Sequence, residues 1–117
     1  MTDSNSRYVL PMLAALKANP CYLQRMTCLS AYGLLCSKEV GLDPVASGIL
    51  KDIVALTKDS VPNVRFKAVK TLKHVSQLVP KPAQVEHIVP VLRRLKTDGD
   101  EDVVFFANDA LAACGTA

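Results

Sequence analysis

Lys58–Val79, KDSVPNVRFKAVKTLKHVSQLV, reads as a polar, proline-bearing turn that opens into a long amphipathic helix. Val64, Ala68, Leu72, Val75 and Val79 recur along one helical face, while Lys67, Lys70, Lys73 and His74 fall on the opposite side. The same unit recurs on either side of this stretch. Leu16, Leu56 and Leu95 lie about 40 residues apart, a period that marks a helical solenoid.

Several columns carry the repeat. Leu10, Leu50 and Val89 align, as do Leu13, Ile53 and Leu92. After the three leucines comes a polar position, Asn19, Asp59 and Asp98, then a non-helical turn, then Arg25, Arg65 and Val104. Met26, Phe66 and Phe105 follow, with Cys28, Ala68 and Ala107, and Tyr32, Leu72 and Leu111, further along. Each unit therefore reads helix A, tight turn, helix B. The predicted fold is all-α, an armadillo-like α–α superhelix of three stacked antiparallel helix pairs. A polar lead at 1–6 precedes a single domain at 7–117, with repeats at about 7–40, 43–80 and 82–117. We expect a right-handed array with B helices lining its concave side.

The chain supplies its own punctuation. Helices are predicted over Arg7–Lys17, with Pro11 in or just after its first turn, and over Tyr22–Ser37. Asp43-Pro44 has the form of a helix start and opens a helix to about Lys58. Ser60 is the expected N-cap of the next helix. Pro80-Lys81-Pro82 ends the second repeat, and Pro90 is expected to kink a helix over Ala83–Lys96. The acids of Asp98–Asp102 suit the positive end of a last helix, Glu101–Cys114.

Half of the 117 residues are apolar and about a fifth are charged, a composition that folds. A net charge of +3 with mixed signs demands neither nucleic acid nor an anionic membrane, and neither partner is expected. No stretch approaches the ~18 apolar residues of a membrane span. The four cysteines form no C-x-x-C pair, and Cys28, Cys36 and Cys114 fall within apolar helical patterns, as small core residues do. The expected setting is the reduced cytoplasm, with the nucleus also open.

The segments Asn19-Pro20-Cys21-Tyr22-Leu23-Gln24-Arg25-Met26-Thr27, Val61-Pro62-Asn63-Val64-Arg65-Phe66 and Asp98-Gly99-Asp100-Glu101-Asp102-Val103-Val104-Phe105-Phe106-Ala107 resemble the HEAT-repeat family. More closely, their order and spacing are similar to the last three repeats of the scaffold (A) subunits of protein phosphatase type 2A. The resemblance implies a non-catalytic scaffold segment whose A-to-B turns bind the serine/threonine phosphatase catalytic subunit. Regulatory subunits, held elsewhere in such scaffolds, are not expected to bind here. Carried onto this chain, the contact candidates are Asn19, Pro20, Tyr22 and Arg25, then Ser60, Val61, Pro62, Asn63 and Arg65, then Gly99, Asp100 and Glu101. The resemblance also implies a structural ladder between neighbouring turns through Asp59, Arg65 and Asp98, from which Asn19 and Val104 depart by lacking the acid and the base.

Three other chemistries compete. Asp98-x-Asp100-x-Asp102 begins like a calcium loop, but Val103 stands where the sharp turn needs Gly and Asp109 where a bidentate Glu belongs. The stripe of Lys67, Lys70, Lys73 and His74, with Arg93 and Arg94, is the alternative surface, for nucleic acid, and lacks a column of base-stacking aromatics. No cofactor, metal or catalytic motif is found, and His74 and Ser76 point to different sides of their helix. A first helix pair without an upstream neighbour would expose apolar groups such as Leu29 or Leu34. That predicts marginal stability or self-association through the first repeat.

Overall fold

The computed structural model describes residues 2–39 and 41–115. Among the described residues six helices stack as three A–B pairs, and there is no strand. The first pair is α1, Thr2–Lys17, and α2, Tyr22–Lys38. The second is α3, Ile49–Leu56, and α4, Pro62–Ser76. In the third pair the A helix has three joined pieces, α5 (Lys81–Ala83), a π-helical turn (Gln84–Ile88) and α6 (Val89–Leu95), and the B helix is α7, Glu101–Ala113. The molecule measures 39 × 34 × 17 Å. At roughly 8–10 Å between packed helix axes, the short dimension holds two layers, one of A helices and one of B helices.

The sequence columns become the core. Cys28, Ala68 and Ala107 are fully buried, as are Ile53, Leu92 and Leu72, and Tyr32 and Leu111 are nearly so. Small side chains in the first of these columns let successive B helices approach, and the larger ones fill the space between layers. α4 is the hub, packed on α2, α3 and α7.

Several boundaries differ from the sequence expectation, each for a local reason. α1 starts at Thr2, upstream of Arg7, so Pro11 lies inside the helix rather than at its first turn. The Asp43-Pro44 signal does form a turn, in which Asp43 Oδ1 accepts the Val45 N–H at 2.9 Å, but Gly48 sits at φ 85° and interrupts it. Helix α3 therefore begins at Ile49, not Pro44. Ser60 is not the N-cap of α4; Val61 is, with Pro62 at the first helical position. Around Pro90 the helix widens instead of breaking. Val89 donates its N–H to the Gln84 carbonyl, a π-type bond placed just before the residue that has no N–H to give. The link residue Val40 and the terminal Thr116 and Ala117 lie outside the described residues.

Leu29, expected as a candidate for exposure, is fully buried; among the described residues of the first pair, Met12, Tyr22, Leu23 and Leu34 are the large exposed apolar side chains. Among the cysteines, Cys28 and Cys114 are buried, Cys36 is half-buried and Cys21 is exposed. Burial pushes the Cys28 and Cys36 thiols up to about 11. A disulfide reagent near neutral pH should meet one fast thiol, Cys21, and Cys21→Ser should remove that fast phase. A fast phase surviving that substitution would contradict the packing described.

Candidate functional site

The three A-to-B turns are built alike. In each, the polar residue at the turn accepts a hydrogen bond from the backbone two residues on: Cys21 N–H to Asn19 Oδ1, Val61 N–H to Asp59 Oδ1, and Asp100 N–H to Asp98 Oδ1, all at 2.9 Å. This closes an Asx turn and orients the side chain before the B helix begins. In the third repeat Asp100 adds an N-cap, its Oδ1 accepting from the Asp102 and Val103 amides at 3.0 and 3.2 Å.

Arginines tie neighbouring turns together. Arg25 grips the Asp59 carboxylate with Nε and Nη2 at 2.7 and 2.9 Å, and Arg65 grips Asp98 the same way at 2.9 and 3.0 Å. The remaining terminal nitrogen closes each arginine's own turn. Arg25 Nη1 donates to the Asn19 and Pro20 carbonyls, and Arg65 Nη1 donates to those of Asp59 and Ser60. These contacts engage most of the five N–H donors a guanidinium carries. Arg25, expected among the partner contacts, thus occupies the same structural position as Arg65, and neither guanidinium is free to take a partner's carboxylate. The sequence columns align Arg25 with Arg65; only the missing acid at Asn19 hides its pairing with the following repeat.

Burial pushes the Asp59 carboxyl up, but hydrogen bonds from Arg25 and the Val61 amide and the nearby Arg25 and Arg65 charges outweigh it and hold the group below its ordinary value. For Asp98 burial again pushes upward, and Arg65, the Asp100 amide and Arg94 outweigh it in the same sense. A depressed carboxyl contributes its full stability above the ordinary carboxylate value of ~3.9 and loses it as pH falls through and below that value. Acid titration of urea midpoints should therefore steepen below about pH 4. Asp59→Asn/Asp98→Asn should flatten that limb while lowering stability at pH 7; an unchanged acid limb would contradict the ladder's contribution.

With their bases tied down, the turns present other groups outward. Pro20 and Tyr22, Ser60, Pro62 and Asn63, and Gly99 and Glu101 are exposed, whereas Asn19, Val61 and Asp100 are half-buried. They form one edge of the slab. The acidic run that resembled a calcium loop is committed to this edge, Asp98 to Arg65 and Asp100 to the α7 N-terminus. Among the described residues no group of three metal-ligating side chains converges.

A second set of contacts fastens the pairs away from the edge. Asp52 on α3 receives the Tyr32 hydroxyl at 2.6 Å and the Lys17 ammonium at 2.9 Å, joining the first two repeats. Arg94 donates to the buried Thr57 hydroxyl at 2.6 Å, joining the second and third. Periodicity could not reveal these, because they pair residues from different columns.

Stacked helix pairs joined by an Asx–arginine ladder define an α-solenoid of HEAT type. No family model matches the chain. It is 35% identical over 99 residues to the A-type regulatory subunit of protein phosphatase PP2A from Saccharomyces cerevisiae, covering 80% of this chain and 15% of that protein. It is 39% identical over 62 residues to the serine/threonine-protein phosphatase PP2A 65 kDa regulatory subunit of Drosophila melanogaster, covering 53% of this chain and 10% of that one. These similarities support a HEAT-repeat, PP2A scaffold-like relationship, and the chain spans a small part of the length of these relatives. Both relatives carry the names of regulatory subunits. Among the described residues no helix is long and apolar enough to cross a membrane.

Proposed function

We propose that the chain is a non-catalytic scaffold segment, equivalent to the last three repeats of an A-type subunit, whose ridge of turns holds a serine/threonine phosphatase catalytic subunit. The observation that carries this reading is the threefold recurrence of one turn geometry, locked in register by Arg25–Asp59 and Arg65–Asp98, with exposed side chains at each tip. Stacked repeats present these tips on a rigid edge, so little order has to be created when a partner docks. The contact residues are Pro20 and Tyr22, Ser60, Val61, Pro62 and Asn63, and Gly99, Asp100 and Glu101, with Asn19 at the margin. Arg25 and Arg65 support them from beneath. Variable regulatory subunits would bind elsewhere on a longer scaffold, and the chain would work in the cytoplasm and the nucleus.

Capture of purified catalytic subunit by immobilised chain tests the reading. Wild type should retain it more weakly than a complete scaffold, because fewer turns take part, and Pro62→Ala/Asn63→Ala should reduce retention about tenfold without loss of helix signal. No capture under conditions where the complete scaffold succeeds would overturn the proposal. Met12 and Leu23 are exposed on the first pair, and self-association through them at high concentration is part of this reading.

A further inference from the structure

The layer of B helices carries a feature that the ridge does not use. α2 and α4 run side by side in the same direction: Arg25 near the start of α2 meets Asp59 in the turn that leads into α4, and Ser37 Oγ meets His74 Nε2 at 2.5 Å near their ends. Between these two ties lies an open groove of about 430 Å³. Gly33 lines it, and a Cβ there would reach only ordinary contact, 3.6 Å from His74 and 3.7 Å from Thr71. On one side stands Leu34, 59% exposed. On the other stand Lys67 and Lys70.

The charge of this groove is unbalanced. None of its lining residues is acidic, and among the described residues neither Lys67 nor Lys70 has a carboxylate within ion-pair distance. Lys73, the third member of the stripe, is different, for Asp109 neutralises it at 2.8 Å. Of the three lysines of the stripe, Lys67 and Lys70 therefore border the groove without a carboxylate partner among the described residues, with the Lys70 ammonium resting over the Phe66 and Phe106 rings. From Ser30 to Ser37 it is roughly 10 Å long at 1.5 Å per helical residue, room for about three extended residues at 3.3 Å each.

We propose that this groove is a docking site for a short acidic segment of a partner protein, extended along α2 and α4, with an apolar side chain on Leu34 and carboxylates against Lys67 and Lys70. A nucleic acid fits less well. Base stacking needs open aromatic faces, and the nearby rings of Phe66 and Phe106 are already covered by the Lys70 ammonium at 5.2 and 5.7 Å from their centroids. The site does not depend on the phosphatase reading, because it shares no residue with the ridge.

Fluorescence polarisation of a labelled peptide, Glu-Glu-Leu-Glu-Glu-Leu-Glu-Glu, tests it on the full chain. Wild type should bind saturably, and the same peptide with Lys in place of Glu should not. Lys67→Glu/Lys70→Glu should weaken binding by about tenfold or more, the effect of losing charge-assisted contacts. Leu34→Gln, a change at an exposed position that leaves the core intact, should weaken it several-fold. Phosphatase capture should survive in the double lysine variant. Absence of saturable binding, equal affinity for wild type and both variants, or displacement of the peptide by a uridine oligonucleotide at lower concentration than by unlabelled peptide would each overturn the proposal.

Discussion

Leu72→Ala should lower the stability of the chain by about 2–5 kcal/mol, out of a total on the order of 5–15 kcal/mol for a domain of this kind. Leu72 is fully buried near the middle of α4, the helix packed on α2, α3 and α7, so no flexible surface lies beside it to collapse into the vacated space. In a solenoid, stability is a sum over neighbouring interfaces. A cavity in the hub weakens both of them, whereas Leu111→Ala in the terminal helix α7 weakens one. Urea titration should place Leu72→Ala clearly below Leu111→Ala. A loss under about 1 kcal/mol at position 72, or the reverse order, would contradict the packing.

Arg65→Ala should cost about 2–3 kcal/mol, through a different route. The side chains of Arg65 and Asp98 are only 17% and 10% exposed, so their pair is shielded from water and salt far more than a surface bridge. Removing the guanidinium leaves the Asp98 carboxylate with the Asp100 amide and the nearby Arg94 charge, and also frees the Asp59 and Ser60 carbonyls that closed the turn. Arg65→Lys should restore less than half of the loss, because an ammonium cannot grip both carboxylate oxygens in one plane. In a double-mutant cycle with Asp98→Asn the two single losses should overlap strongly. Additive losses would mean that the bridge is incidental. Arg25→Ala should behave similarly at the first junction, since its geometry with Asp59 is nearly the same.

Much of this architecture is legible in the chain because a repeat states the same physical requirement three times. Leu72 alone predicts nothing, but its alignment with Tyr32 and Leu111 marks a column that must be buried in every copy, and all three are. The ladder is legible in part, since Asp59, Arg65 and Asp98 follow the family pattern. Arg25 reads as an outer-surface residue because the acid missing at Asn19 suggests a broken first rung, although each arginine reaches forward to the next repeat rather than back. Boundaries are harder. Asp43-Pro44 is a sound start signal locally, yet Gly48 at φ 85° ends that turn before the helix proper begins, and nothing in the local sequence ranks the two. The π-helical turn ahead of Pro90 is a cooperative adjustment of a whole turn, so the proline announces a disturbance without specifying its form. The groove between α2 and α4 is invisible as such. Lys67 and Lys70 stand out as a charged stripe, but Gly33 and Leu34 belong to the preceding repeat, and only stacking brings the two sets together.

The proposed phosphatase-binding face is the ridge of turns, and hydrogen–deuterium exchange of the chain with and without purified catalytic subunit tests it directly, since each turn contributes its own peptides. Slower exchange is expected at 19–22, 60–63 and 99–101 together, with α1 and α3 unchanged. Protection confined to the A helices, or none when catalytic subunit is saturating, would contradict it.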